Sequence, residues 1–526
     1  MTNLRFQSTK ILKKIRFRFH NYSSRLLVFI VFTLSHVLTC YNFKNRKGGF
    51  VSSDNTTLQR SIDWKQGLAI ALGVPLLILP SIGTFAYYLW AFAIVAWGLS
   101  VLQGFLQNLA YGEMAATFAN SSGLPGFAQT VFGAGTKTGK FIGGFSAWSY
   151  WFAWNPVLAI FSIIIGDYIS GIVPMFIPAF AGVSPVVISL VAGVVIFAAL
   201  IFINSKGISS GATIGYILAI FSLIPLFVIT IAPFFTGAFQ LENLTGSWFP
   251  TDWNWGLSNI LILMGIMATA QWSACAWETA AIYGPEYKNP KKDIPKALFI
   301  CGFICLLSFV FVQASVTGTL GVEGVIDQRV SPLLPMAIDV FGNFGGMIAI
   351  VMLIAAMILI IQTAFNGSAR SMHSMAAEGN LPSYLSKVNS KGTPMRSMIL
   401  IAVFNLALIL AFSFLGDSGG PAAILSASAL GYVFANGISL LAYYKAATDP
   451  KFKELERPFK APKGWKYVAL AFALINLVLF LCGIVYLNAT DPTIGIIPTL
   501  LGFVVLAVFI PLWLWAQKEV KNKTTH

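Results

Sequence analysis

The chain has 526 residues, of which 57% are hydrophobic and only 10% charged, whereas a soluble globular domain carries roughly a quarter charged residues. That balance excludes a water-soluble fold, which would have nowhere to hide so much apolar side chain. The formal net charge of +15 invites a nucleic-acid reading. The basic residues lie in short loops between apolar runs, however, which is how a membrane protein sets its orientation, so no nucleic-acid partner is expected.

In chain order, residues 1–65 form a basic segment with a short apolar run, Leu26 to Cys40. Fifteen residues are few for a membrane span, so the segment is expected to be cytoplasmic or processed, with no assigned function. From Gln66 to Ala516 twelve apolar runs follow, at 66–88, 89–112, 140–165, 184–204, 211–234, 257–283, 297–320, 343–368, 397–416, 421–446, 467–488 and 494–516. In lipid the backbone must satisfy its own hydrogen bonds, so each run predicts a helix. The fold class is an all-α membrane protein with about twelve transmembrane helices.

The loops can be sorted by charge. Lys137 and Lys140, Lys206, Lys288 to Lys296, Arg370 to Arg396, Lys445 to Lys466, and Lys518, Lys521 and Lys523 share one side, while the other holds only Arg329. Basic loops stay cytoplasmic, so both termini are predicted inside a multi-pass protein of the cell membrane.

Catalytic signatures are absent from the sequence. Cys40, Cys275, Cys301, Cys305 and Cys482 contain no CxxC pair, and His20, His36, His373 and His526 are scattered. No HExxH, GxSxG or P-loop pattern occurs. An enzyme is therefore disfavoured, and no metal or cofactor is expected.

Chemistry is carried instead by interrupted helices. The first span contains Gly73, Pro75 and Pro80, followed at once by Ser81-Ile82-Gly83; proline removes an amide donor and clashes with the carbonyl four residues back. The sixth span reads Gln271-Trp-Ser-Ala-Cys-Ala-Trp-Glu278, placing small residues, two tryptophans and a carboxylate in an apolar run. A carboxylate at membrane depth faces a bundle interior or water and marks function. The two interruptions lie five spans apart, the offset of an inverted five-plus-five repeat whose site is at the repeat interface. The expected parts are a ten-helix core, 66–446, with repeats 66–234 and 257–446, and a remainder, 447–526, holding two further helices and a short tail.

Several motifs resemble those of the amino acid–polyamine–organocation superfamily, the amino acid permeases. Trp272 to Glu278 followed by Pro285-Glu-Tyr-Lys-Asn-Pro-Lys-Lys-Asp-Ile-Pro-Lys-Ala297 is similar to its sixth helix and the loop behind it. Ser368-Ala-Arg370, Ala376-Ala-Glu-Gly-Asn-Leu-Pro382, Gly392-Thr-Pro394, Arg457-Pro-Phe-Lys-Ala-Pro462, Gly112-Glu113 and Ser122-Gly-Leu-Pro-Gly126 are similar to its basic-side loop elements. The resemblance implies a LeuT-like fold. It further implies that Gly73, Val74, Pro75, Leu76 and Leu77, with Ser273, Ala274, Cys275 and Ala276, bind an amino acid head group through backbone. Trp277 would close over the substrate and Glu278 would hold the unwound region in shape.

The chain departs from the family at two places. Gly73-Val74-Pro75 stands where G-x-G is expected, so a carboxylate loses one N–H donor and an amine or polyamine becomes a credible substrate. The fifth-helix lysine of many proton-coupled members is replaced by Ser222. Coupling then falls to Na+, to a proton on Glu113 or Glu278, or to exchange without a driving ion. The function expected is secondary transport of amino acids by alternating access, with amine transport as the alternative and a non-transporting sensor as a third.

Overall fold

The computed structural model describes residues 57–526 apart from 177, 179–181, 247, 329–330, 414–419, 492–494 and 525–526. The apolar run Leu26 to Cys40 and Arg329 lie outside the described residues. The described part of the chain is predominantly helical, and in it the one extended pairing is an isolated parallel bridge between Ile62 and Tyr287.

The helices follow the apolar runs. We label them α1 (Trp64–Ala71 and Ile82–Leu89, joined by a 3₁₀ turn Val74–Ile78), α2 (Ala93–Thr117), α3 (Lys137–Trp154 and Val157–Phe176), α4 (Pro185–Ser205), α5 (Ile208–Ile231) and α6 (Leu257–Ala274 and 3₁₀ Ala276–Glu286). There follow α7 (Pro290–Leu306, a π-turn Leu307–Phe311, Val312–Asp327), α8 (Leu333–Ala377), α9 (Met395–Ser413), α10 (Gly420–Thr448), α11 (Trp465–Leu474, a π-turn Ile475–Phe480, Leu481–Thr490) and α12 (Ile497–Ala507 and Phe509–Thr524). Among the described residues ten helical stretches are long and apolar enough to cross a membrane, and two shorter apolar helices, Trp64–Ile78 and Met395–Ala411, stand where the first and ninth runs were expected.

Several helices overrun their predicted edges. Those edges mark where apolar sequence stops, but a helix continues for as long as its backbone bonds close on themselves. Thus α7 begins at Pro290 and runs to Asp327, and α8 spans Leu333–Ala377 with a kink at Gly342 (φ 65°, ψ −160°). Between α1 and α2 the chain turns at Trp90 (φ 50°), bringing Phe85 onto Trp97 with ring centroids 3.8 Å apart.

The polar and small residues face inward. α10 and α3 are largely buried, whereas α4 and α5 expose Val191, Val195, Phe202, Ile220 and Ile224, the surface a lipid-facing helix presents. The α3 break is a local consequence of Asn155-Pro156. With the helix kinked at the proline, the Ala159 amide donates to the Asn405 side chain of α9 (3.1 Å), whose Nδ2 reaches Asn155 Oδ1 (3.2 Å).

Helices α6 and α11 cross at a glycine pair. A Cβ on Gly265 would stand 2.6 Å from the Gly483 carbonyl oxygen and 2.8 Å from Leu487. Gly265→Val is therefore expected to cost about 1–3 kcal/mol, the range for overpacking a close-packed site. Melting of the detergent-solubilised protein checks this; an unchanged melting temperature would show that the crossing relaxes freely.

Candidate functional site

In α1 the hydrogen bonds shorten in register where the prolines fall. Leu76 N donates to Gly73 O (3.3 Å), Leu79 N to Leu76 O (3.1 Å) and Ser81 N to Ile78 O (2.9 Å). Pro75 and Pro80 forbid α-helical bonds at their own amides, yet i→i−3 bonds survive around them. The helix tightens into 3₁₀ rather than unwinding into extended chain. In α6 the change comes at Cys275, after which eleven residues, Ala276–Glu286, form a 3₁₀ stretch, far beyond the usual three or four. Such poorly aligned bonds leave backbone groups more open to other partners.

The two tightened stretches pack in the middle of the bundle. α8 fixes the first: Thr363 Oγ1 donates to Ile70 O (2.6 Å), and a Cβ at Gly73 would lie 2.9 Å from Leu359 O. Gln362 Nε2 donates to Gly211 O of α5 (2.5 Å). Trp272 Nε1 donates to Ala153 O of α3 (3.1 Å), and Cys275 Sγ to Ser100 O of α2 (2.9 Å). Val74, Leu76, Leu77, Ser273, Ala274, Cys275 and Ala276 are all buried. Gly73 and Pro75 are buried beside them, so the centre is closed to solvent.

Trp277 is also buried, but it is wedged between α2 and α7. A Cβ on Gly302 would meet its ring at 2.9 Å and one on Gly104 at 2.5 Å, and Phe105 lies 5.2 Å away. The α6 tryptophan on the α3 side is Trp272, 6.2 Å from Trp154.

The three coupling candidates differ in their surroundings. Ser222 is buried and its hydroxyl donates to Leu218 O within its own helix (2.7 Å). Glu113 is fully engaged by Arg457 Nη1 (2.5 Å), Tyr443 Oη (2.8 Å) and the Ala461 amide (3.0 Å). Glu278 is 1% exposed and neither carboxylate oxygen completes a hydrogen bond. The Tyr432 hydroxyl stands beside it, and Tyr111, Tyr150 and Cys275 lie within electrostatic reach. A buried charge of this kind is either paired or neutralised. Among the described residues no cation forms an ion pair with Glu278.

Both ends of the bundle are shut by specific contacts. At the basic end Arg370 of α8 makes a bidentate pair with Glu286 at the end of α6 (Nε–Oε2 2.5 Å, Nη2–Oε1 2.9 Å), with both side chains buried. Asn366 Oδ1 accepts from Arg370 Nη1 (3.1 Å). The segment before α1 lies over this lock: Ser61 N and Ile62 N donate to Glu286 O (2.8 and 3.1 Å), and Lys288 N to Ile62 O (2.8 Å). Arg60 joins Tyr287 O (3.1 Å) to Asn120 Oδ1 (2.6 Å). Beside the lock is a cavity of about 710 Å³ lined by Thr57, Arg60, Asn120, Pro285, His373 and Glu378, among others.

At the opposite end the loop after α5 covers the α1–α2 corner. Phe92 N donates to Trp248 O (3.0 Å), and Phe92, Phe249 and Trp253 stack at 4.5 and 4.9 Å. Tyr88 is hydrogen-bonded to Asp491.

Sequence reasoning named the motifs around Glu286 and Arg370 without joining them. The available signal was Arg370 itself, a charge at the end of an apolar helix that needs a partner. Breaking a buried pair from one side strands the other charge. Arg370→Met is expected to cost about 3–5 kcal/mol, and the double variant with Glu286→Met to recover most of it. Melting of the four proteins of the cycle checks this; equal losses in single and double variants would show no coupling.

The sequence profile of the family described as Amino acid permease matches residues 62–510. An uncharacterized amino acid permease of Bacillus subtilis, YecA, is 26% identical over 67% of this chain and 77% of its own length. An arginine/ornithine antiporter of Latilactobacillus sakei is 27% identical over 61% of this chain and 64% of its own. Among solved structures, a mutant form of a manganese transporter of Eremococcus coleocola superposes with a TM-score of 0.50 at 12% identity, covering 90% of this chain and all of the other. The last likeness speaks for the fold alone, a LeuT-like transporter bundle.

Proposed function

Because the chain belongs to the amino acid permease family and is a multi-pass membrane transporter, we propose that it carries cationic amino acids, or the amines derived from them, across the cell membrane by alternating access. The observation that carries this reading is Glu278, a carboxylate buried at the site with no protein cation paired to it and neither oxygen hydrogen-bonded. A cation delivered by the substrate would neutralise it, within electrostatic reach of the Tyr111, Tyr150 and Tyr432 hydroxyls. The arginine/ornithine antiporter among the relatives is consistent with such cargo.

The head group is assigned to the backbone of Gly73 to Leu77 and Ser273 to Ala276. Helix-terminal N–H groups attract a carboxylate and helix-terminal carbonyls an ammonium. Pro75 withholds one donor, which favours decarboxylated ligands relative to a G-x-G site. Trp272, facing α3, is the better placed aromatic to cover the substrate, and Trp277 serves as a fixed wedge between α2 and α7.

In this scheme residues 66–234 and 257–446 are the two inverted repeats, α11 and α12 stand outside them, and both termini are cytoplasmic. Release of the Glu286–Arg370 lock and the 59–63 strap opens the centre toward the cytoplasmic cavity. Of the coupling candidates, Glu278 alone has a carboxylate free to change partner; a proton on it is the second reading.

Ligand-dependent melting separates these readings, since a ligand bound only by the folded state raises the melting temperature. Arginine, ornithine, agmatine or putrescine is expected to stabilise the purified protein and leucine or glutamate is not, with the effect lost in Glu278→Gln. Stabilisation by neutral amino acids alone would contradict the cationic reading. A Gln variant that keeps the cation response but loses pH dependence of uptake would assign Glu278 to the proton.

A further inference from the structure

The stretch between α10 and α11, residues 449–464, together with the first residues of α11, is not a slack connector. Arg457 and the Ala461 amide are tied to Glu113, and Trp465 Nε1 donates to Leu106 O of α2 (2.9 Å). Phe459 packs on Gly112, where a Cβ would meet its ring at 3.1 Å, and lies 6.1 Å from Phe299 of α7. Lys291 at the start of α7 pairs with Glu456 (2.6 Å). The stretch is thus bound down across α2 and against α7.

Past this anchor the chain presents Lys460, Lys463 and Lys466. The first two are exposed and the third is half-buried, with its ammonium 5.1 Å from the Tyr467 ring. Among the described residues none of the three finds an ion-pair or hydrogen-bond partner. The acids of the stretch, Asp449, Glu454 and Glu456, all precede Arg457. Lys296, exposed one turn before Phe299, adds a fourth ammonium from α7.

What lies below these ammonium groups decides which anion they suit. On α2, one and two turns deeper than Leu106, Leu102 and Leu99 are 53% and 49% exposed, and on α7 Phe303 is 57% exposed. The cationic stretch is thus anchored at Leu106, Gly112 and Phe299 to the same two helices that expose this apolar wall. A soluble anion would use the ledge alone, whereas a phospholipid with an anionic head group would use both, its phosphate on the lysines and its chains along α2 and α7. Each basic residue near a membrane surface contributes about 1 kcal/mol toward anionic lipid.

We propose that Lys460, Lys463 and Lys466, held by the Glu113–Arg457 clasp, form a specific site for one anionic phospholipid in the leaflet on the basic side, between α7 and α11 on the outer face of α2. The site is distinct from the one assigned around Glu278, and its test does not depend on transport.

The purified protein is melted in detergent with added phosphatidylglycerol, phosphatidylcholine or soluble glycerol phosphate. Phosphatidylglycerol alone is expected to raise the melting temperature. In Lys460→Gln/Lys463→Gln/Lys466→Gln the lipid needed for half the shift is expected to rise by roughly a hundredfold, three residues at about 1 kcal/mol each. The corresponding triple Arg variant should keep the shift, and so should a control with the same charge loss elsewhere, Lys137→Gln/Lys391→Gln/Lys518→Gln. Equal loss in the control would reduce the effect to net charge and overturn the site. An equal response to glycerol phosphate would replace the lipid with a soluble anion, and an unshifted midpoint in the triple Gln variant would remove these lysines from it.

Discussion

In hydrocarbon a backbone amide has no water to turn to, so every departure from α-helical bonding must be met inside the protein. This constraint organises the whole molecule. At Gly73–Ile78 and Ala276–Glu286 the chain gives up α-helical bonding, and polar groups otherwise unexpected in a membrane bundle gather around both stretches. Thr363 takes a carbonyl of α1, Gln362 one of α5 and Trp272 one of α3. The α3 break is met in the same way by Asn405. The interior is therefore polar where the backbone is irregular and closely packed elsewhere, and the two irregular stretches share one location.

The same economy of charge holds at the ends. Arg370 and Glu286 are buried with complementary bidentate geometry, and Glu113 is saturated by Arg457, Tyr443 and an amide. Both clusters join elements distant in sequence at the basic end. Glu278 is the exception: a buried carboxylate the protein itself does not complete. On the reading proposed above, a cationic cargo supplies the missing partner. The lock lies at one end of the bundle and the aromatic stack at the other, with Glu278 buried between them.

Much of this was legible in the sequence because hydropathy and charge act locally. The apolar runs marked the helices and the prolines at 75 and 80 the irregular stretch of α1; in α6 the small residues at 273–276 mark only its start, since Ser273 and Ala274 are still α-helical and the irregular stretch runs over Ala276–Glu286. Three kinds of feature were not legible. The Glu286–Arg370 pair spans 84 positions, and single-sequence patterns do not carry long-range pairing. Side-chain direction beyond Cys275 was also hidden: a 3₁₀ helix turns about 120° per residue against about 100° for an α-helix. Trp277, which the family resemblance places over the substrate, has its ring between Gly104 and Gly302. Helix ends were missed for the simpler reason that helices outlast their apolar sequence.

The central claim is that the two 3₁₀ stretches meet at one buried site at which a cationic substrate is exchanged. Counterflow tests it most directly: the protein is reconstituted in liposomes loaded with unlabelled arginine, and entry of external labelled arginine or ornithine is followed with no ion gradient. The account predicts transient accumulation of label above its external concentration, competed by agmatine and not by leucine. Entry indistinguishable from protein-free liposomes, across arginine, ornithine and agmatine, would contradict it.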